Sequence, residues 1–169
     1  IDAEGSAQGL FRYLQKDGKI MNLEVVGKVL PTGSATKIGG VVGVNNGSIQ
    51  NVTFSGTLEA TDQVGGLVGY NAVTGRVISC TSQGYIRATK VVGGVVGKNE
   101  GVVTGCINKN SVNTHIPDDS INLEDITFTK LTTEDTKISG SDIGGVVGSS
   151  SGVIRGCKNE GDVGYQHTG

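Results

Sequence analysis

Apolar positions in this chain come in short runs that stop and restart at glycine, and one such run keeps returning. Val64-Gly65-Gly66-Leu67-Val68-Gly69-Tyr70-Asn71 is matched by Ile38-Gly39-Gly40-Val41-Val42-Gly43-Val44-Asn45, by Val92-Gly93-Gly94-Val95-Val96-Gly97-Lys98-Asn99 and by Ile143-Gly144-Gly145-Val146-Val147-Gly148-Ser149-Ser150. Gly9-Leu10-Phe11-Arg12-Tyr13 aligns without gaps on Gly66-Leu67-Val68-Gly69-Tyr70 as a divergent first copy. Repetition at a fixed spacing is the mark of stacked structural units, whose terminal members diverge. Gly39 to Gly65 is 26 residues, Gly65 to Gly93 is 28 and Gly93 to Gly144 is 51. Coils are therefore expected at about 9–29, 38–60, 64–89, 92–113 and 143–164, and the doubled last step makes 114–141 either a degenerate unit or an irregular insertion.

Laid over one another, the units form vertical columns. Ile20, Ile49, Val77, Val103 and Ile154 make one; Leu23, Val52, Cys80, Cys106 and Cys157 make another; Val29, Leu58, Ile86, Val112 and Val163 make a third. The runs are β-branched, of strand length and without helical period. None can bury its apolar face alone, but coils stacked about 4.8 Å apart would bury continuous columns of Val and Ile. The expected fold is all-β: one domain forming a right-handed parallel β-helix of about five to six coils. Two glycine columns, Gly18, Gly47, Gly75, Gly101, Gly152 and Gly27, Gly56, Gly84, Asn110, Gly161, are expected at left-handed turns, because Gly and Asn share tolerance of positive φ.

Composition sharpens this picture. Glycine is 29 of 169 residues, yet it falls at fixed places beside apolar pairs, which argues against disorder and collagen. With no Trp, 3 Phe and 4 Tyr, the core must come from Val, Ile and Leu. A net charge of -2 carries no footprint for nucleic acid or an anionic membrane. No apolar run reaches the roughly 18 residues of a membrane span. No signal peptide heads the sequence, and a first residue of Ile rather than Met reads as a piece processed or excised from a larger protein.

The pattern Gly-Gly-[Val/Leu]-Val-Gly-x-Asn, then Gly-x-[Ile/Val], then Cys or an aliphatic, then Gly-x-[Val/Ile] resembles the GLUG-repeat family. Its copies cover roughly two-thirds of the chain. The resemblance implies a secreted or cell-wall-attached bacterial repeat protein: an adhesin-like scaffold, or a non-catalytic region of an immunoglobulin-A-cleaving zinc metallopeptidase. It carries across no catalytic residues, and it is silent on 114–141.

Each candidate chemistry has a plainer rival. The cysteines number three, an odd count that argues against a disulfide framework. Cys80, Cys106 and Cys157 share a column with Leu23 and Val52, so they are expected to be small buried hydrophobes with free, slowly reacting thiols. His115 and His167 are the only histidines, and no His-Glu-x-x-His occurs. Asp118, Asp119, Glu124, Asp125, Glu134, Asp135 and Asp142 concentrate acids in and beside the insertion, but without the spacing of a calcium loop. No acid column repeats between coils, which disfavours a glycan-cleaving β-helix enzyme. The glycine runs open no helix and precede no Gly-Lys-Ser/Thr, so they are not phosphate loops. Asn46-Gly47-Ser48 and Asn51-Val52-Thr53 match the glycosylation sequon, which carries no meaning in a bacterial reading. Tyr70, Arg76, Tyr85 and Arg87 fall within one coil and make the one candidate ligand patch, since aromatics with arginine favour binding.

The expectation is a non-catalytic structural and adhesive module that presents a face to host protein or glycan. The alternative is an accessory segment that positions substrate for a secreted metallopeptidase. No cofactor or metal, no nucleic acid and no membrane insertion are expected. Uncapped ends are expected to permit end-to-end self-association.

Overall fold

The computed structural model describes residues 1, 4–114 and 142–164. Every named element in it is a β-strand. Coil 1 holds β1 (Phe11–Leu14) and β2 (Lys19–Val29); coil 2 holds β3 (Thr36–Gly39), β4 (Val42–Asn45) and β5 (Ser48–Ala60). Coil 3 holds β6 (Asp62–Gly65), β7 (Val68–Asn71), β8 (Arg76–Ile78) and β9 (Thr81–Ala88). Coil 4 holds β10 (Val91–Gly93), β11 (Val96–Asn99), β12 (Val102–Thr104) and β13 (Ile107–Val112). Coil 5 holds β14 (Asp142–Gly144), β15 (Val147–Ser150), β16 (Val153–Arg155) and β17 (Lys158–Asn159).

Like strands of successive coils pair in parallel. One wall runs β3-β6-β10-β14, a second β1-β4-β7-β11-β15, and a third folds round a corner, with β2 and β5 spanning what becomes two strands in each later coil. The result is a parallel β-solenoid of about four full turns, because coil 1 contributes no named strand to the first wall, somewhat fewer than the five to six coils expected. β10 pairs directly with β14, and β11 with β15, so no further coil separates coil 4 from coil 5 across the doubled step. Among the described residues no helix is long and apolar enough to cross a membrane.

The columns hold residue by residue. Ile20 faces Ile49, Ile49 faces Val77, and Val103 lies between Val77 and Ile154. Leu58 faces Val29 and Ile86, and Val112 faces Ile86 and Val163. Ile49, Leu58, Val77, Ile86 and Val103 are fully buried. Burying one such side chain is worth about 1.5–3 kcal/mol, and the stack repeats it coil after coil.

The two glycine columns are corrected. Of Gly27, Gly56, Gly84, Asn110 and Gly161, only Gly84 has a left-handed φ, at 124°, and Gly18, Gly47, Gly75, Gly101 and Gly152 have none. These glycines serve close approach: a Cβ at Gly56, Gly84 or Gly161 would fall on the carbonyl oxygen of the residue one coil earlier. The left-handed corner lies elsewhere, at Asn22 (φ 54°), Asn51 (51°), Ser79 (51°), Gly105 (62°) and Gly156 (59°). These sit one residue before the Leu23-Cys157 column, where the third wall bends.

The Gly-Gly pair has a packing reason too. Its second glycine (Gly40, Gly66, Gly94, Gly145) lies against Phe54, Ser82, Asn108 and Asn159 respectively, and a Cβ there would strike those side chains. Its first glycine (Gly39, Gly65, Gly93, Gly144) abuts the carbonyl of the second wall's opening valine.

Candidate functional site

Two polar ladders run through the interior. Asn45 donates through Nδ2 to Asn71 Oδ1 (2.8 Å), Asn71 to Asn99 Oδ1 (2.7 Å), and Asn99 to Ser150 Oγ (3.0 Å). The three asparagines are fully buried. Their side chains also secure the following bend, since Asn45 Oδ1 accepts from Gly47 N and Asn99 Oδ1 from Gly101 N. The ladder stops at Leu14, which pairs with Asn45 in the first coil. The second ladder replaces Phe54 in later coils. Asn110 donates to Ser82 Oγ and Gly94 O, both at 2.8 Å, and to Asn108 Oδ1 at 2.7 Å; Asn108 in turn donates to Asn159 Oδ1 at 2.7 Å. Buried amide groups in these ladders find partners in their own or a neighbouring coil, with Asn110 Oδ1 left buried without one among the described residues.

The thiols follow the expected column. Ile107 N bonds Cys80 O and Lys158 N bonds Cys106 O, which stacks the three cysteines in register. Cys80 and Cys106 are buried, Cys157 is half-buried, and all three are free. Each thiol points at the carbonyl two residues before it: Ile78 (3.1 Å), Thr104 (3.4 Å) and Arg155 (3.5 Å). Hydrogen bonding to Cys80 and burial push the Cys106 thiol far up. The same bond, received from Cys106, lowers Cys80 against its own burial.

The candidate ligand residues divide between walls. Tyr70 lies on β7, Arg76 opens β8, and Tyr85 and Arg87 stand two apart on β9. Only that last pair shares a strand and a face. Tyr70 is held by residues that sequence reading did not single out. Lys37 and Lys98 place Nζ 5.4 and 5.7 Å from its ring centroid, within cation–π range, from the coil before and the coil after. Its hydroxyl donates to Glu100 Oε2 at 2.7 Å, and Lys98 Nζ is 3.1 Å from Glu100 Oε1. That hydrogen bond, then burial, then the Glu100 charge raise the Tyr70 pKa; the bonds from Tyr70 and Lys98 hold the Glu100 carboxyl below its ordinary value. Arg76 is exposed, while its carbonyl accepts from Asn45 Nδ2. Tyr85 donates its hydroxyl to Thr114 O (2.8 Å), and Arg87 lies 3.6 Å from Glu59, its partner across β5 and β9.

Sequence reading missed the asparagine ladder, although its signal was present: the repeated phrase ends in Asn three times and in Ser the fourth. Lys37, Lys98 and Glu100 gave no signal, because they reach Tyr70 only through stacking. Among the described residues, no group of three or more His, Cys, Asp or Glu could hold a metal ion. His115, His167, the acids from Asp118 to Asp135 and all but Thr114 of the 114–141 insertion lie outside the described residues.

Comparison with known proteins adds two findings. The family model of the GLUG motif matches residues 34–59 and 60–87. These spans correspond to coil 2 and coil 3, so one motif is one turn of the solenoid. The chain is also similar to a halomucin of Haloquadratum walsbyi, 44% identical over 61 residues, which is 36% of this chain and 1% of that protein. The chain thus spans only a small fraction of the length of the curated relative it matches. No solved structure matches it.

Proposed function

Since the chain carries GLUG-motif repeats and is a structural repeat module, we propose that it works outside the cell as a stiff spacer whose outer walls present a binding face to protein or glycan. One observation carries this reading: the apolar inward columns repeat while the outward ones do not. Along β5, β9 and β13 the inward Leu58, Ile86 and Val112 are kept in kind, and the inward Phe54 gives way to the hydrogen-bonded Ser82 and Asn108, but outward neighbours change from Ser55 to Gln83 to Lys109 and from Thr57 to Tyr85 to Ser111. A scaffold that fixes its interior and varies one wall is suited to recognition. The likeness to a halomucin supports the extracellular placement. On the third wall, Tyr85 and Arg87, which share a strand and a face, are the recognition residues.

A glycan array and a panel of extracellular matrix proteins test the reading. Saturable binding that Arg87→Ala or Gln83→Ala weakens would support it. Binding unaffected by changes on that wall would sink the assignment of the face, and release of reducing sugar ends by the purified chain would replace it with an enzymatic reading.

A further inference from the structure

We propose that the open face of coil 1 is an acceptor for one further parallel coil, which joins the solenoid through Ile1. The strongest sign is a glycine without a local reason. At Gly56, Gly84 and Gly161 the missing Cβ leaves room for a carbonyl one coil earlier. Gly27 belongs to the same column, pairing with Gly56, yet among the described residues a Cβ built on it meets nothing within 4 Å. It has no left-handed φ either. Among the described residues nothing requires glycine there, whereas a carbonyl arriving from beneath would.

Ile1 marks where such a coil enters. Its terminal amino nitrogen donates to Lys28 O (2.6 Å), and its carbonyl accepts from Leu30 N (2.9 Å). That is the bond pair by which one parallel strand brackets a residue of its neighbour, here Val29. Ile1 therefore stands beneath Val29 as Val29 stands beneath Leu58. Val29 is 2% exposed, whereas Leu23 and Val25 are only half-buried although their column mates Val52 and Phe54 are 1% exposed. Beyond this bracket β2 is an edge among the described residues, paired along its length with β5 alone. Met21 (49%) and Val26 (75%) are exposed on it.

The columns specify the chemistry of the incoming coil. It places apolar side chains beneath Ile20, Leu23 and Val25, and a main-chain carbonyl beneath Gly27. Below Leu14, where the asparagine ladder has ended, it carries an apolar residue rather than Asn, because an amide there would be buried without a partner. A second copy stacked head to tail fits poorly. It would set Ser150 against Leu14 and Asn159 against Val25, and its Val163 would need the place Ile1 holds. This inference deepens the spacer reading and rests on it only in requiring coil stacking.

The experiment joins a copy of residues 34–57, carrying Asn45→Leu, directly ahead of Ile1, so that Ile1 takes the place of Leu58. Amide exchange along Met21–Val26 should slow by about tenfold or more, and the unfolding midpoint should rise. Gly27→Val should undo both gains in the extended chain, while shifting the midpoint of the 169-residue chain by no more than about 2 °C. Unprotected β2 amides in the extended chain would overturn the proposal. So would an equal effect of Gly27→Val in both chains. Protection of β2 that appears with rising concentration in the unextended chain would assign the surface to a second copy and overturn the entry through Ile1. None of these results touches the binding test of the outer wall.

Discussion

Replacing Asn71 by Leu removes the middle rung of the asparagine ladder without demanding new space, since Leu14 already occupies that column in coil 1. The cost can be followed bond by bond. Asn71 loses its bonds to Asn99 Oδ1 (2.7 Å) and Gly75 O (3.2 Å), a long one to Val102 O (3.5 Å), and the one it accepts from Asn45 Nδ2 (2.8 Å). Two of those partners are not orphaned: Asn99 Oδ1 keeps Gly101 N, and Gly75 O keeps Val102 N. Asn45 keeps one donor bond, to Arg76 O, and leaves its second N–H buried and unpaired. The three shorter lost bonds at about 0.5–1.5 kcal/mol each, with one stranded donor, offset by the added apolar burial of Leu, give about 2–4 kcal/mol of destabilisation. Urea unfolding followed by circular dichroism would measure it. The test is sharpened by Asn45→Leu and the double variant. Because the Asn45–Asn71 bond is counted in both single changes, the double should cost less than their sum by about 1 kcal/mol. Strict additivity, or a cost for Asn71→Leu under about 0.5 kcal/mol, would refute the claim that the ladder holds the coils in register.

Ile49→Asp or Val103→Asp, each placing a charge in a dry column, should unfold the solenoid, whereas Gln50→Asp on the exposed side should be near neutral; equal tolerance in thermal unfolding would contradict the register. Gly66→Ala should cost more than Gly27→Ala by at least about 2 kcal/mol in denaturant titration, because its Cβ meets Ser82 and the Gly94 carbonyl while that of Gly27 meets nothing. In native labelling with a maleimide, half-buried Cys157 should react first and Cys106 last; raising the pH to about 9 should leave Cys106 slow, since its proton is held by Cys80 and by burial. The Glu100 carboxyl is depressed in the fold, so its stabilising interaction is present above its unfolded pKa and is lost as pH falls through its lower folded value. Tyr70 is raised, so its contribution is full below its unfolded value near 10.0 and fades as pH rises through the folded one. Tyr70→Phe should return the Glu100 titration toward its ordinary range by NMR.

Much of this molecule is legible in one dimension. Repeated Gly-Gly-Val-Val-Gly phrases and columns such as Ile20-Ile49-Val77-Val103-Ile154 fix strand content, register and the inward face, because in a solenoid the neighbour of a residue is its counterpart one repeat away. The cysteine column was legible for the same reason. What the columns could not say is why a position is glycine. Gly56 and Gly84 look like turn residues in sequence, yet Gly56 is mid-strand without a left-handed φ, spared a Cβ by the carbonyl beneath it. The true corner passes through Asn51 and Ser79, a column whose residue types vary. Column membership follows from repetition alone, but close approach, corner placement and the company Tyr70 keeps with Lys37, Lys98 and Glu100 depend on how far each coil rises and turns, which only three-dimensional stacking sets.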